Sequence, residues 1–204
     1  MIRDAINHGA RRLPEWPLYL IGLAPAAWLF WLALSGGLGI DPVKALEHRY
    51  GLIALQMLIA GLCVTPLRRF AGINLLKFRR ALGLIAFTYL TLHLSVWLFL
   101  DVQIWSQIWA DIVKRPYITL GMTGFALVVP LAATSNRWSI RRLGPRWVRL
   151  HRLVYIAILL GSVHFIMARK GFQIEPLIYL GLVVGLLVLR VLPKPVTSRR
   201  PTRA

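Results

Sequence analysis

Six near-uniform apolar runs, at about 17–36, 50–66, 81–100, 117–134, 148–168 and 176–192, leave this chain few ways to fold. Each is close to the ~20 residues that a helix needs to cross roughly 30 Å of hydrocarbon. In lipid every backbone N–H and C=O must be satisfied without water, which a helix does within its own segment. Fifty-seven per cent of the residues are hydrophobic and the mean hydropathy is +0.63, values that exclude an ordinary soluble domain. The expected fold is an all-α integral membrane protein, a bundle of six transmembrane helices. Residues 1–16 read as an N-terminal segment, 17–192 as the membrane domain and 193–204 as a basic tail. Arg3, Arg11 and Arg12 precede the apolar stretch from Trp16 to Leu34 and together imitate a signal peptide. That stretch exceeds the usual apolar region of about 7–15 residues, so it reads as a retained first helix. No room is left for a soluble dinucleotide-binding domain, and no internal repeat is visible in the sequence.

The formal charge of +18 does not point to nucleic acid, because the cations fall in alternate connections. Arg68, Arg69, Lys77, Arg79 and Arg80 lie between the second and third runs, and Arg137, Arg141, Arg142 and Arg146 between the fourth and fifth. Lys194, Arg199, Arg200 and Arg203 follow the sixth. The other connections are balanced or nearly so: Asp41, Lys44, Glu47 and Arg49; Asp101, Asp111, Lys114 and Arg115; Arg169, Lys170 and Glu175. The excess of Lys and Arg on the cytoplasmic side of membrane proteins then predicts both termini inside. Trp97, Trp105, Trp109 and Tyr117 fit an aromatic belt at the outer interface. Between Val102 and Val113 apolar residues recur at helical spacing, as in a short helix lying on that surface. The lone Cys63 excludes an intrachain disulfide and reads as a small packing residue.

Against this apolar background three histidines stand out: His93, His151 and His164. An ionisable side chain in hydrocarbon is costly and is by default a functional candidate. His93 lies thirteen residues into the third run, counted from Arg80, and His164 thirteen beyond His151 in the fifth. At 1.5 Å per residue both sit ~20 Å from the basic side, so two helices of the same direction carry them at matched depth. The plain use of a membrane histidine is an interhelical hydrogen bond of about 1 kcal/mol. A pair at one depth suits a second use, filling both axial positions of a haem that passes single electrons. His151 lies at the basic rim between Arg149 and Arg152, where a wet interfacial residue and a cofactor ligand are both open. His48 and His8 read as solvated. Arg79, Arg80, Arg149 and Arg152 could contact haem propionates, a flavin phosphate or lipid head groups, or simply snorkel. Gly83, Gly121, Gly124, Gly161, Gly181 and Gly185 would permit close approach of helices or of a flat macrocycle, and Gly181 with Gly185 forms a GxxxG packing pattern.

Six spans, histidines in the third and fifth, and the stretch Arg79-Arg80-Ala81-Leu82-Gly83 leading to His93 resemble ferric-reductase-like transmembrane proteins. The short chain and the segment Arg149-Leu150-His151-Arg152-Leu153-Val154-Tyr155 narrow the likeness to haem-binding membrane subunits of bacterial protein-methionine-sulfoxide reductase systems. The resemblance implies a b-type haem held by His93 and His164, with His151 as a further ligand candidate, and FMN as a second cofactor. It implies electrons drawn from the quinone pool or a cytoplasmic flavin reductase and passed to a periplasmic molybdopterin-containing catalytic subunit. The place implied is the bacterial inner membrane. Two-haem relatives carry a second histidine near the basic end of the third helix, where this chain has Arg79 and Arg80. The alternatives are a stand-alone ferric or quinone reductase of the same fold, and a transporter or scaffold whose histidines bond only between helices.

Overall fold

The computed structural model describes residues 2–169 and 171–192 and is built from helices. Met1, Lys170 and the basic tail from 193 lie outside the described residues. The six expected spans are present, as helical segments Trp16–Leu34, Pro42–Ala71, Leu76–Val102, Pro116–Ala133, Pro145–Ala168 and Ile174–Val191.

Their ends follow from local chemistry. Helix α1 (Ile2–Arg12) occupies the N-terminal segment, followed by α2 (Trp16–Leu34). The second span, α3 (Pro42–Pro66), starts eight residues earlier than its apolar run at 50 suggested. The Asp41 carboxylate accepts from the Lys44 N–H at 3.0 Å, and Pro42 occupies the first turn, where its missing N–H costs nothing. The added polar turns bring Glu47 and His48 into the helix. The third span comprises α4 (Arg79–Val96) and a π-helical turn at Trp97–Val102 that ends in a left-handed Gln103. Next come α5 (Trp105–Lys114), the expected surface helix, and α6 (Pro116–Ala133). Pro130 lies inside α6, as Pro25 does inside α2, without ending either helix. The connection after α6 holds α7 (Arg137–Leu143) and α8 (Pro145–His151). A turn at Arg152 separates α8 from α9 (Leu153–Ala168), so the fifth span is broken there, and α10 (Ile174–Val191) closes the bundle.

The main packing is α3 against α4 and α6 against α9. Between α2, α3 and α4, Tyr50 and Tyr89 are buried edge to face, ring centroids 5.8 Å apart. Their hydroxyls donate to Ala26 O and Gly22 O, each at 2.8 Å, fastening α2 to the bundle. Leu55, Leu62, Ile158 and Val183 form a second core where α3, α9 and α10 meet. Trp97, Ile108 and Ile118 form a third, which seats α5 on the bundle end while Trp105 and Trp109 face outward.

Hydrogen bonds assign the loops to two ends. At one end Asn7 Nδ2 donates to Gly72 O (2.9 Å), Asn74 N donates to Asn7 Oδ1 (2.7 Å), and Arg69 donates to Leu192 O. The first helix and the last therefore meet the same basic loop. At the opposite end Lys44 pairs with Asp101, and Arg169 with Glu175 at 3.8 Å. The basic connections thus share one end of the bundle and the charge-balanced ones the other.

Candidate functional site

His93 on α4 and His164 on α9 come together inside the bundle, at the depth their spacing predicted. Their ring centroids are 6.2 Å apart and their planes lie at 79°. Each ring is fixed by a backbone carbonyl on the helix beside it. His93 Nδ1 is 2.8 Å from Glu47 O on α3, and His164 Nδ1 is 2.7 Å from Tyr117 O on α6. A carbonyl can only accept, so Nδ1 carries the proton in both rings and donates it. Nε2, on the opposite edge of each imidazole, keeps its lone pair.

That donor set fits haem iron. A neutral imidazole with Nδ1–H given to a carbonyl and Nε2 free is the usual form of a metal-binding histidine, with tautomer and ring plane both set. Two imidazoles on one iron, with bonds of about 2 Å and about 1.2 Å from nitrogen to ring centre, place the centroids roughly 6 Å apart. The observed separation meets this. Among the described residues no group of three or more His, Cys, Asp or Glu converges on a point.

His151 is elsewhere, at the basic end, stacked on Trp147 at 3.8 Å between centroids. Its Nε2 lies 3.1 Å from Thr134 Oγ1. The Thr134 hydroxyl gives its own hydrogen to Pro130 O at 2.6 Å, so Nε2 of His151 is the donor to it. Trp147 Nε1 donates to Thr134 O at 2.9 Å and locks the group. Arg79 is half-buried nearby, close enough to act on His151 electrostatically. Arg80, Arg149 and Arg152 are exposed on the same end, as are His8 and, at the other end, His48. Tyr155 of the Arg149–Tyr155 segment binds Arg190: its hydroxyl accepts from Nη1 at 2.6 Å and its ring lies under the guanidinium at 5.0 Å.

The carbonyls of Glu47 and Tyr117 were not readable as site groups from sequence, because any residue supplies a carbonyl. A groove of about 640 Å³, lined by Leu159, Val184, Leu187, Val188, Val191 and Leu192, runs along α9 and α10 away from the histidines. Its apolar walls suit an acyl chain.

The fold is a multi-pass helical bundle with a carbonyl-fixed histidine pair between its helices, and comparison gives its family. The family model for the ferric reductase like transmembrane component matches residues 48–162, and the chain belongs to that family. It is similar to the protein-methionine-sulfoxide reductase heme-binding subunit MsrQ of Agrobacterium fabrum, with 52% identity over 191 residues, 93% of this chain and 89% of the relative. The proteins of the same name from Brucella anthropi and Brucella ovis are each 51% identical over 187 residues, covering 91% of this chain and 85% of theirs. No solved structure matches.

Proposed function

We propose that this chain is the haem-binding membrane subunit of a protein-methionine-sulfoxide reductase system, carrying electrons through the bilayer to an exported catalytic subunit. The observation that carries this reading is the His93–His164 pair, ring centroids 6.2 Å apart, with both Nδ1 atoms bound to backbone carbonyls and each Nε2 lone pair left available. His93 and His164 would hold a b-type haem there, and the haem would supply a one-electron site. The carbonyls of Glu47 and Tyr117 keep the two imidazoles basic and oriented. The surrounding apolar helices keep water away. The name of the relatives supplies the sulfoxide destination, and the donor in this reading is quinol or a cytoplasmic flavin reductase.

The basic end, with Arg68, Arg69, Lys77, Arg80, Arg137, Arg141, Arg142, Arg146, Arg149 and Arg152, faces the cytoplasm of a bacterial inner membrane. The histidine pair then lies in the outer half of the bilayer, on the side of an exported acceptor. A molybdopterin-containing reductase is the acceptor this reading names.

The test is electron delivery. Membranes containing the chain and its exported reductase should reduce methionine sulfoxide with quinol or a flavin reductase as donor, and membranes lacking the chain should not. Equal rates without it would overturn the reading. Transfer to ferric chelates at the same rate with the exported reductase absent would favour a stand-alone reductase instead. A colourless preparation from haem-replete cells would leave only a scaffold or transporter.

His151 stands outside the ligand set on this reading, because its Nε2 is occupied and it lies ~20 Å along the helical path from His164. His151→Ala is expected to leave the low-spin signal of the His93–His164 haem at wild-type amplitude in electron paramagnetic resonance. Loss of that signal would place His151 in the set.

A further inference from the structure

The two halves of the site share a register that the sequence conceals. Glu47 lies 46 residues before His93, and Tyr117 lies 47 before His164. Four residues after each carbonyl comes a glycine, Gly51 on α3 and Gly121 on α6. In an α-helix the side chain at position i lies on the same face as position i−4 and tilts back toward it. A side chain at 51 or 121 would therefore stand beside the carbonyl that binds the imidazole. A Cβ built on Gly51 would come 3.1 Å from Nδ1 of His93 and 3.2 Å from its Cε1. On Gly121 it would come 2.9 Å from Nδ1 of His164 and 3.0 Å from its Cε1. The atom crowded in both cases is the nitrogen that makes the bond, part of a rigid ring rather than the free end of a flexible chain. Other helical glycines do not face a histidine: a Cβ at Gly22 would meet the flexible Ile85 side chain at 2.7 Å, and at Gly181 and Gly185 on α10 it would meet nothing within 4 Å.

We infer that Gly51 and Gly121 are positioning residues for the two axial histidines, laying bare the i−4 carbonyls so that each imidazole docks through Nδ1 in a fixed plane. The inference rests on the haem reading above. Each glycine sets one ligand, in two antiparallel helix pairs that repeat one arrangement: carbonyl and glycine on the first helix, histidine on the second. A general demand for close helix packing does not account for this, since the three nearest atoms to a Cβ at either position all belong to the imidazole.

The test uses the purified full chain with haem, wild type beside Gly51→Ala, Gly121→Ala, the double variant and Gly181→Ala as control. Alanine is the better helix former, so the helices themselves are not weakened by the change. The crowded ring must tilt or withdraw, and Nδ1 loses part of its bond to the carbonyl. A less basic imidazole stabilises ferric iron less. Each single variant should therefore raise the haem midpoint potential and alter the anisotropy of the ferric low-spin signal. The double variant should hold haem about 10-fold more weakly, the scale of outer-shell loss at a metal site. Gly181→Ala should match wild type in all three measurements. The inference is overturned if both single variants match Gly181→Ala in potential and in the ferric signal. A wild-type protein without bis-histidine haem would overturn the haem reading itself, and this inference with it. Should one glycine variant fail to accumulate, the other applies the same criteria to its own half.

Discussion

Replacing His93 or His164 by alanine is expected to abolish the reduced b-type spectrum of the purified protein, with haem content down by well over about 10-fold in each variant. The magnitude follows from comparison. Disturbing only the groups behind a metal ligand costs roughly 10–100-fold in affinity, and removing the ligand itself removes that support along with the coordinate bond. The two losses should be alike, because each ring contributes one imidazole fixed by one carbonyl at 2.8 and 2.7 Å. Each alanine also leaves a carbonyl with its ordinary intrahelical partner, so no buried polar group is orphaned and the apoprotein should still fold. Haem per protein, measured by pyridine haemochrome on material that elutes as wild type does in size exclusion, decides the matter. A full complement of haem in either variant would remove that histidine from the ligand set. The near-perpendicular rings, at 79°, add a second readout. If haem is bound without rotating them, the ferric wild type should give a strongly anisotropic low-spin signal.

Much of this arrangement is legible in the sequence because lipid is a demanding solvent. The span count follows from run lengths that only helices can use. The shared depth of His93 and His164 follows from equal thirteen-residue offsets and the rise of an α-helix. The structure then brings the two rings within 6.2 Å. Less visible was everything built from backbone. The start of α3 at Pro42 was hidden because capping by Asp41, not hydropathy, decides it. The break at Arg152 fell inside a run that looked continuous. The repeat relating the two halves is hard to see in the sequence because it consists of a carbonyl, which any residue supplies, a glycine four residues on, and a histidine 46 or 47 residues after the carbonyl. Gly121 could be noticed only as a packing glycine, and Gly51 not even as that. The thirteen-residue spacing of His151 and His164 left His151 open, as a wet interfacial residue or a cofactor ligand. In the fold His151 binds Thr134 and Trp147, and only His164 faces His93.

Tyr89→Ala should lower the thermal midpoint of the purified protein by about 6–10 °C, and Tyr89→Phe by only about 2 °C. Tyr89 is fully buried, four residues before His93 and on the same face of α4. Its ring packs edge to face on Tyr50, and its hydroxyl donates to Gly22 O. In a soluble core, truncating so large an aromatic residue costs about 3–5 kcal/mol, including the transfer of its surface from water. In a bilayer the separated helices are already out of water, so that part is missing and packing dominates. About 2–3 kcal/mol then remains for the emptied contact, against about 0.6 kcal/mol for the hydroxyl bond in a membrane interior. At roughly 2–4 °C per kcal/mol for a chain of this size, the two variants separate clearly. Equal falls would mean that the hydrogen bond, not the ring, fastens α2 to α4. An unchanged alanine variant would mean that neither does. Because the cavity opens one turn from His93, haem should leave Tyr89→Ala on heating before the helices unfold. Soret absorbance lost ahead of helical circular dichroism is the measurement that ties this packing to the site.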